Sequence, residues 1–157
     1  MRVDEETSGS AGSARGAGRV AALDLGAKRI GVAYSDSRRT LASPWGTIER
    51  CGDPARDLGA MVDVVREIEA TTVIVGLPLS LSGAQGPAAR AVTGEADALR
   101  RALEPFGVAL ETADERLTTV EAQRALRESG KTGPAARRMV DSAAAMVLLQ
   151  AWLDRSS

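Results

Sequence analysis

The amino-acid sequence predicts an α/β fold with a mixed five-stranded sheet, three antiparallel strands followed by two parallel ones, flanked by helices. Two observations predict this fold. Three short segments rich in β-branched and small apolar residues follow one another with only tight turns between them. After them, segments with a helical period alternate with short β-branched runs, as in strand–helix–strand units. The predicted order of elements is therefore β-β-β-α-β-α-β-α-α.

The chain has 157 residues, enough for one domain with a core. Residues 1–18 are rich in Gly, Ser, Ala and Glu and contain few large apolar side chains. Such a segment cannot bury enough apolar surface to fold. The sequence therefore predicts a disordered N-terminal tail over residues 1–18 and a folded domain over residues 19–157.

Three antiparallel strands open the predicted domain. They cover about residues 19–25, 30–35 and 41–49. A tight turn at Gly26 joins the first two strands, and a polar turn over residues 36–40 joins the second to the third. Pro44 has no N–H group for a sheet hydrogen bond, so it indicates an irregular or edge position for the third strand.

The first helix is predicted directly after Asp53, which can cap it, with Pro54 in its first turn. Its apolar residues recur at helical spacing: Leu58, Met61, Val62, Val65 and Ile68. The short β-branched run at residues 73–76 then predicts a buried parallel strand. A loop over residues 77–86 follows that strand.

The last part of the chain contains one more strand and three more helices. They are a helix from Pro87 to about Leu103, a strand at residues 107–112, a helix from Thr118 to about Glu128, and a last helix from Gly133-Pro134 to about Leu153. Thr118 with Glu121 is a capping-box signature. Short connections between these elements predict helices packed on the faces of the sheet.

Composition excludes several classes of site. The chain has no histidine, which excludes a Ser-His-Asp triad, a His general base and His-ligated zinc or iron. A single cysteine, Cys51, excludes an intrachain disulfide and a cysteine-based zinc site. Any catalysis therefore rests on carboxylates, Lys, Arg, Ser, Thr or Tyr. This restriction favours hard, oxygen-ligated metals such as Mg²⁺ or Mn²⁺.

The formal net charge of −1 argues neither for nor against a nucleic-acid partner. Much of the positive charge is paired along the chain, at Lys28-Arg29, Arg38-Arg39, Arg100-Arg101 and Arg137-Arg138. These pairs are either local phosphate-binding patches or solvated helix surface. No apolar run is long enough to span a membrane, and the N-terminus lacks the apolar core of a signal peptide, so a cytoplasmic location is expected.

Asp24 is an acid inside the apolar run of the first strand. A carboxylate in a strand that is buried on both faces is costly to desolvate unless it is paired or bound to a cation. Two explanations stay open at this point. Asp24 either caps the turn before Gly26 or is compensated by a bound cation.

Two further acids occur where a core or a ligand site is expected. Asp141 shares a face of the last helix with Ala144, Ala145, Leu148 and Trp152, which should pack on the sheet. A salt bridge to Arg137 is the alternative explanation. Residues 114–116, Asp-Glu-Arg, come directly after the fifth strand, and ligand sites form at the carboxyl ends of parallel strands. A polar loop is the alternative there.

Asp24, Glu115 and Asp141 are far apart in sequence but can converge on one point in this fold. Three convergent carboxylates repel one another, and a divalent cation is their natural counter-charge. With Mg²⁺, in-line displacement at phosphorus needs no histidine.

Four motifs occur in order along the chain: residues 24–33 (DLGAKRIGVA), residues 75–80 (VGLPLS) with Gly83, residues 114–119 (DERLTT) and residues 140–144 (VDSAA). Together they resemble the YqgF/RuvX family of pre-16S rRNA nucleases, whose RNase H-like fold is related to that of the RuvC Holliday-junction resolvases. The resemblance covers about residues 19–154.

The resemblance implies an RNase H-like nuclease whose acidic triad is Asp24, Glu115 and Asp141, holding Mg²⁺ or Mn²⁺. Nucleic acid is the implied partner. The immature 5′ end of small-subunit rRNA is the implied substrate, with ribosomal particles as further partners. Kinship of fold implies a four-way DNA junction instead. Asp114 receives no role from the match.

Substrate contacts are expected from four residues around the triad. Lys28, Arg29 and Arg116 would lie near the phosphates, and Arg116 could equally orient Glu115. Gly83 belongs to the loop after the fourth strand, which we expect at the substrate-facing rim because glycine lets a backbone approach closely.

Other function classes stay open. The first motif also resembles the phosphate-binding hairpin of actin-like ATPases and sugar kinases, but the chain supplies only one of their two lobes. A non-catalytic module that binds RNA or assists ribosome assembly is the second alternative, against which the three acids argue. A junction resolvase should be a symmetric dimer, and the sequence does not distinguish a monomer from a homodimer.

Overall fold

Five strands form one sheet in the part of the chain that the computed structural model describes, residues 18–78, 84–114 and 134–156, with side chains from residue 142 onward in the last segment. The strands are β1 (Arg19–Leu25), β2 (Arg29–Ser35), β3 (Ala42–Glu49), β4 (Ala70–Leu77) and β5 (Ala109–Asp114). The helices are α1 (Pro54–Ile68), α2 (Pro87–Leu103) and α3 (Pro134–Ser156), with a short 3₁₀ turn at Glu104–Phe106. Residues 1–17 of the predicted tail and the predicted helix over residues 118–128 lie outside this description.

The strand order is β3-β2-β1-β4-β5, so β1 lies at the centre of the sheet. β1 pairs antiparallel with β2, and β2 pairs antiparallel with β3. On the other side β1 pairs parallel with β4, and β4 pairs parallel with β5. The predicted mixed sheet is therefore confirmed.

β3 lies at an edge of the sheet, where the proline in its sequence predicted it. Val32 of β2 pairs with Gly46, and the next residue, Ala33, pairs with Pro44. Trp45 is skipped in this register, which makes a bulge in the edge strand. An edge with a bulge tolerates Pro44 because its missing N–H group is not needed for the ladder.

Alternate residues of β1 contact two separate cores. Ala21 and Leu23 belong to the core between the sheet and helices α1 and α2. Val20 and Ala22 belong to the core under α3, together with Leu148, Leu149, Trp152 and Leu153 of that helix. Helices therefore cover both faces of the sheet, as the alternating pattern predicted. We call these two sides the α1/α2 face and the α3 face.

Two strands differ in their bounds from the sequence prediction. β4 begins at Ala70 rather than residue 73, because Glu69 ends α1 in a left-handed conformation (φ 63°) and its N–H group donates to the Arg66 carbonyl (3.0 Å). The polar pair Thr71-Thr72 hid this early start. β5 begins at Ala109 rather than residue 107, because Gly107 (φ 72°) closes the 3₁₀ turn. The other bounds differ from their predictions by at most a few residues, and in the described segments no helix is long and apolar enough to cross a membrane.

Candidate active site

Asp24 is the next-to-last residue of β1, at the carboxyl end of the central strand. Strand alternation places it on the α3 face, because Val20 and Ala22 contact the α3 core. Asp24 is half-buried, whereas the four residues before it are fully buried. The acid therefore stands where the buried part of the strand meets the end of the sheet.

Glycine occupies the two sheet positions beside Asp24. Gly31 of β2 is its antiparallel partner. On the other side, Leu23 pairs in parallel with Val75, so Gly76 is the residue of β4 beside Asp24. Both glycines are buried. Because neither has a Cβ atom, the two sheet positions that flank the carboxylate carry no side chain on the α3 face.

The turn after Asp24 is closed by backbone rather than by the carboxylate. The Gly26 N–H group donates to the backbone carbonyl of Asp24 (3.0 Å). No side chain in the described segments donates a hydrogen bond or forms an ion pair with the Asp24 carboxylate. Of the two explanations for this acid, capping by the side chain is thus not what the structure shows.

Helix α3 is anchored to the sheet at both ends of its described side chains. Buried Ser142 donates through Oγ to the Gly46 carbonyl in the β3 bulge (2.9 Å). Near the other end, Trp152 Nε1 donates to Glu111 Oε1 of β5 (3.2 Å). The helix therefore crosses the face that carries Asp24.

Position 141 belongs to the first part of α3, directly before Ser142. Helical periodicity assigns it to the face of Ala145, Leu148 and Trp152, all of which are buried against the sheet. The predicted sheet-facing stripe of this helix is thus confirmed for Ala145, Leu148 and Trp152, whereas Ala144, which was assigned to the same stripe, is only partly buried. The Asp141 side chain itself lies outside the described part, as do Glu115, Arg116 and Gly83.

Asp114 ends β5 on the side of the sheet opposite to Asp24. Leu110 contacts the α1/α2 core and Ala113 packs against the α3 core. Alternation therefore gives Asp114 the α1/α2 face. This acid is separated from Asp24 by the sheet itself.

Lys28 lies in the turn between β1 and β2, Arg29 is the first residue of β2, and both are exposed. Arg29 Nε lies 3.5 Å from Glu49 Oε2, in a pair that is open to solvent on both sides. Such a pair contributes little to stability, so the guanidinium stays available to a phosphate. The structure places both cations close in sequence and space to the carboxyl end of β1.

The two cations also line a cleft of about 900 Å³ on the α1/α2 face. Its charged lining residues are Lys28, Arg29, Arg50, Glu49, Asp57 and Glu95. Acidic and basic groups alternate here, so the cleft is not a continuous basic track for a nucleic-acid strand. Its lining includes Ala27 and Lys28 of the β1–β2 turn, so both the cleft and the Asp24 end of β1 adjoin this turn.

The sequence analysis missed Arg50 and its partners. Arg50 donates through both terminal nitrogens to the two carboxylate oxygens of Glu95 on α2 (2.8 Å each). Its Nε donates to the Gly26 carbonyl (2.7 Å), and Nη1 lies 3.5 Å from Asp57 Oδ2 on α1. No local pattern connects residues 45 positions apart, so only the fold reveals this cluster.

Hydrogen bonding and charge perturb two groups in this cluster. The hydrogen bonds to Glu95 raise the pKa of Arg50 above its ordinary value, against the opposing effect of burial. The Cys51 N–H group, which donates to Asp57 Oδ1 (3.0 Å), is the largest cause that lowers the pKa of Asp57. Both groups are therefore ionised at neutral pH and hold each other in place.

Comparison with known proteins gives a family and a fold. The sequence model of RuvX, described as Holliday junction resolvase, matches residues 18–155. A protein of Rhodococcus erythropolis is 50% identical over 145 residues, which cover 90% of this chain and 81% of that protein. A protein of Nocardia farcinica is 46% identical over 147 residues, with 90% and 81% covered. Both are named "Putative pre-16S rRNA nuclease".

Among solved structures, Thermus thermophilus RuvC in complex with a Holliday junction substrate superposes with a TM-score of 0.57 at 15% identity. The match covers 87% of this chain and 94% of that one. A second structure of T. thermophilus RuvC gives a TM-score of 0.55 at 16% identity. At this level of identity the comparison shows a shared fold, which agrees with the sheet order and the helix on each face. All four sequence motifs lie inside the residues that the family model matches.

Proposed function

Since this chain belongs to the RuvX family of nucleases, we propose that it is a divalent-metal-dependent enzyme that cleaves phosphodiester bonds in maturing the 5′ end of pre-16S rRNA. The single observation that carries the proposal is the setting of Asp24. Its carboxylate lies at the carboxyl end of the central strand, has no partner in the described part of the chain, and is flanked by two buried glycines.

That setting fits a hard divalent cation. A half-buried carboxylate without a donor keeps its oxygens free for coordination, and Mg²⁺ and Mn²⁺ prefer oxygen ligands. The glycine positions leave room over the sheet for an ion and a phosphate, which a Cβ atom would reduce. The chain has no histidine, so an oxygen-only ligand set is also what its composition permits.

We assign Asp24, Glu115 and Asp141 as the ligands of Mg²⁺ or Mn²⁺. The helical position of Asp141 supports the assignment, since that position belongs to the face of α3 that packs on the Asp24 side of the sheet. For Glu115, the support is the alternation of β5. If it continues for one residue beyond Asp114, Glu115 comes to the α3 face.

Bound metal ions would activate a water molecule and stabilise the leaving oxygen of the phosphodiester. Asp24 would hold this centre on the central strand, which pairs with a neighbouring strand on each side. Lys28, from the turn that follows it, and Arg29, the first residue of β2, would bind phosphate oxygens near the scissile bond, and Arg116 would bind phosphate or orient Glu115. Gly83 would let the loop after β4 approach the nucleic-acid backbone.

The choice of substrate rests on the names of the relatives, which specify pre-16S rRNA. This choice makes ribosomal particles the expected partners and the cytoplasm the expected location. A four-way DNA junction is the second candidate, favoured by the description of the family model. A resolvase needs two active sites to cut two strands in concert, so this candidate requires a homodimer, whereas a trimming nuclease can work as a monomer.

The test is cleavage of two labelled substrates, a precursor rRNA 5′ leader and a four-way DNA junction, with Mg²⁺ or Mn²⁺. We expect cutting of the RNA, and we expect Asp24→Asn to lower its rate by about 100-fold or more, because removing a group that acts in the reaction costs at least that much. Asp63→Asn is the matched control, because it neutralises an exposed acid on α1, which packs on the face of the sheet opposite to Asp24.

Each outcome decides between the candidates. Cutting of the junction alone, by a protein whose mass in solution is that of a dimer, would replace the rRNA substrate by branched DNA. Metal-dependent cutting that survives Asp24→Asn would overturn the triad. Tight binding without cutting of either substrate would indicate a non-catalytic module.

A further inference from the structure

Arg50 follows β3 and contacts the β1–β2 turn, α1 and α2 at the same time. We propose that it is a positioning residue for the nuclease reaction, which holds in place the turn that follows Asp24. The inference rests on the proposed function, because it assigns to Arg50 the task of fixing the geometry of Asp24 and Lys28.

The turn is held by Arg50 at two carbonyl groups. The Arg50 backbone N–H donates to the Lys28 carbonyl (3.1 Å), and its side-chain Nε donates to the Gly26 carbonyl (2.7 Å). Gly26 in turn donates its own N–H group to the Asp24 carbonyl. Arg50 thus forms hydrogen bonds with Gly26 and with Lys28, on both sides of Ala27 in the turn that follows Asp24.

The backbone of the turn is tightly packed at Gly26, which leaves few alternative conformations. A Cβ atom at Gly26 would come within 2.6 Å of the Arg29 carbonyl oxygen, so the chain doubles back tightly here. Gly26 is partly buried, and a backbone carbonyl that is shielded from water needs a hydrogen-bond donor from the protein. The Arg50 side chain supplies that bond from outside the turn.

The guanidinium is itself fixed by two acids. Glu95 accepts from both terminal nitrogens in a two-point fork, and buried Asp57 lies 3.5 Å from Nη1. An arginine engaged in this way has lost most of its capacity to bind a phosphate. Arg50 is therefore distinguished from Lys28 and Arg29, whose side chains are exposed.

The fork also connects the turn to α2. That helix begins at Pro87, directly after the loop that we expect at the substrate rim. Arg50 thereby fixes the distance between the acid-bearing end of β1 and the helix that follows the rim. Movement of either element would have to break a charged, two-point hydrogen bond.

The test compares Arg50→Gln, Arg50→Lys and Glu95→Gln with the wild-type protein, all at a temperature where each is fully folded. Three quantities are measured: amide hydrogen exchange at Gly26, the affinity for Mn²⁺ by calorimetry, and kcat and KM for the substrate that the wild type cleaves. Arg100→Gln is the control, because Arg100 lies on the same helix as Glu95 and, in the described part of the chain, forms an ion pair only with the half-exposed Asp97.

We expect Arg50→Gln to speed exchange at Gly26 relative to Arg39 in the β2–β3 hairpin, and to lower Mn²⁺ affinity and kcat by about tenfold, the lower range for residues that orient metal ligands. KM should stay unchanged. Arg50→Lys keeps the charge but not the fork, so its values should lie between those of wild type and Arg50→Gln. Glu95→Gln should resemble Arg50→Lys.

A lower melting temperature for Arg50→Gln, with wild-type exchange at Gly26, Mn²⁺ affinity and kcat, would overturn the inference and leave Arg50 a structural residue only. If Arg50→Gln does not fold, Arg50→Lys and Glu95→Gln decide by the same three measurements. If the wild type neither binds Mn²⁺ nor cuts, the proposed function fails. The exchange rates at Gly26 then still decide whether Arg50 fixes the turn.

Discussion

Asp36 and Asp24 are both acids beside a turn, and the fold gives them opposite surroundings. Asp36 accepts hydrogen bonds from the Thr40 N–H (2.8 Å), the Leu41 N–H (3.0 Å) and the Thr40 hydroxyl (2.8 Å). These bonds, that of Leu41 first, lower the pKa of Asp36 to about 2. Asp24 has no such donors within the described segments. The turn residues thus supply hydrogen-bond donors to the Asp36 carboxylate, whereas the described turn after β1 supplies none to the Asp24 carboxylate.

The hydrogen bonds of Asp36 predict how stability depends on pH. A pKa lowered on folding stabilises the protein above the unfolded value, and this contribution is lost as the pH falls from about 4 to about 2. We therefore expect Asp36→Asn to flatten the decrease in unfolding free energy over this range. Urea unfolding at several pH values measures the slope, and an NMR titration of the Asp36 carboxyl carbon gives its midpoint. A midpoint near the ordinary value of 3.8 would contradict the prediction.

The glycines beside Asp24 give a second prediction at this scale. Gly76→Ala would place a methyl group on the floor of the proposed metal site, on the α3 face of β4. We expect it to lower the affinity for Mn²⁺ while the protein stays folded, and calorimetry with a thermal melt measures both. Gly94→Ala is the control, because a Cβ atom there meets no atom within 4 Å. Equal Mn²⁺ affinity in both variants would show that Gly76 leaves no room that the metal needs.

At the scale of single residues, sequence could identify Asp24 because a charge interrupts an apolar strand. It could also assign Asp141 to the sheet-facing stripe of its helix, since the helical period is regular there. Arg50 and Glu95 gave no signal. Each is an ordinary charged residue in its own segment, and their fork exists only because β3 and α2 meet in space.

The two N-terminal helices begin in different ways. Asp53 caps α1, with its Oδ1 accepting from the Ala55 N–H (3.0 Å), and Pro54 follows in the first turn. Gly86 occupies the equivalent position of α2, also before a proline, but provides no side-chain hydrogen bond. The sequence predicted both starts because proline marks them, whereas strand starts at Ala70 and Ala109 depended on left-handed residues that no period reveals.

The difference between the caps predicts opposite effects of two substitutions. Asp53→Ala should destabilise the protein by about 1 kcal/mol, because the Ala55 N–H loses its acceptor. Gly86→Ser should stabilise it by a few tenths of a kcal/mol, because Gly86 has an extended backbone and a Cβ atom there meets nothing within 4 Å. Urea unfolding of each variant measures both. Destabilisation by Gly86→Ser would mean that no serine cap forms at α2.

At the scale of the whole molecule, one sheet separates two hydrophobic cores and contributes side chains to both of them. Leu99 of α2 and Leu149 of α3 are fully buried on opposite sides of it. The sheet cannot lose its packing on one face without weakening the strands that the other face needs. The mixed sheet and the helices on both of its faces were predictable from the sequence, because the apolar residues of β1 before Asp24 require cover on both sides.

This shared sheet predicts a single unfolding transition. Leu99→Ala and Leu149→Ala should each lower stability by about 2 to 5 kcal/mol. Trp45 packs against the α1/α2 core and Trp152 lies in the α3 core, so Trp45→Phe and Trp152→Phe leave one fluorescent reporter on each face. Both reporters should give the same urea midpoint, in wild type and in either leucine variant. Separate midpoints would mean that the faces unfold independently.

Because the seven residues of β1 alternate between the two faces of the sheet, neighbouring residues are under different constraints on substitution. Ala21 and Leu23 are constrained only by packing, so they tolerate substitution by apolar residues of similar volume. Val20 and Ala22 are constrained by packing on the α3 face. Asp24 follows on the same face, and there the constraint is on charge rather than on side-chain volume. Core residues beneath α1 and α2 can therefore be exchanged for other apolar residues while Asp24 is retained. Conversely, one substitution of Asp24 can abolish the activity without disturbing the fold.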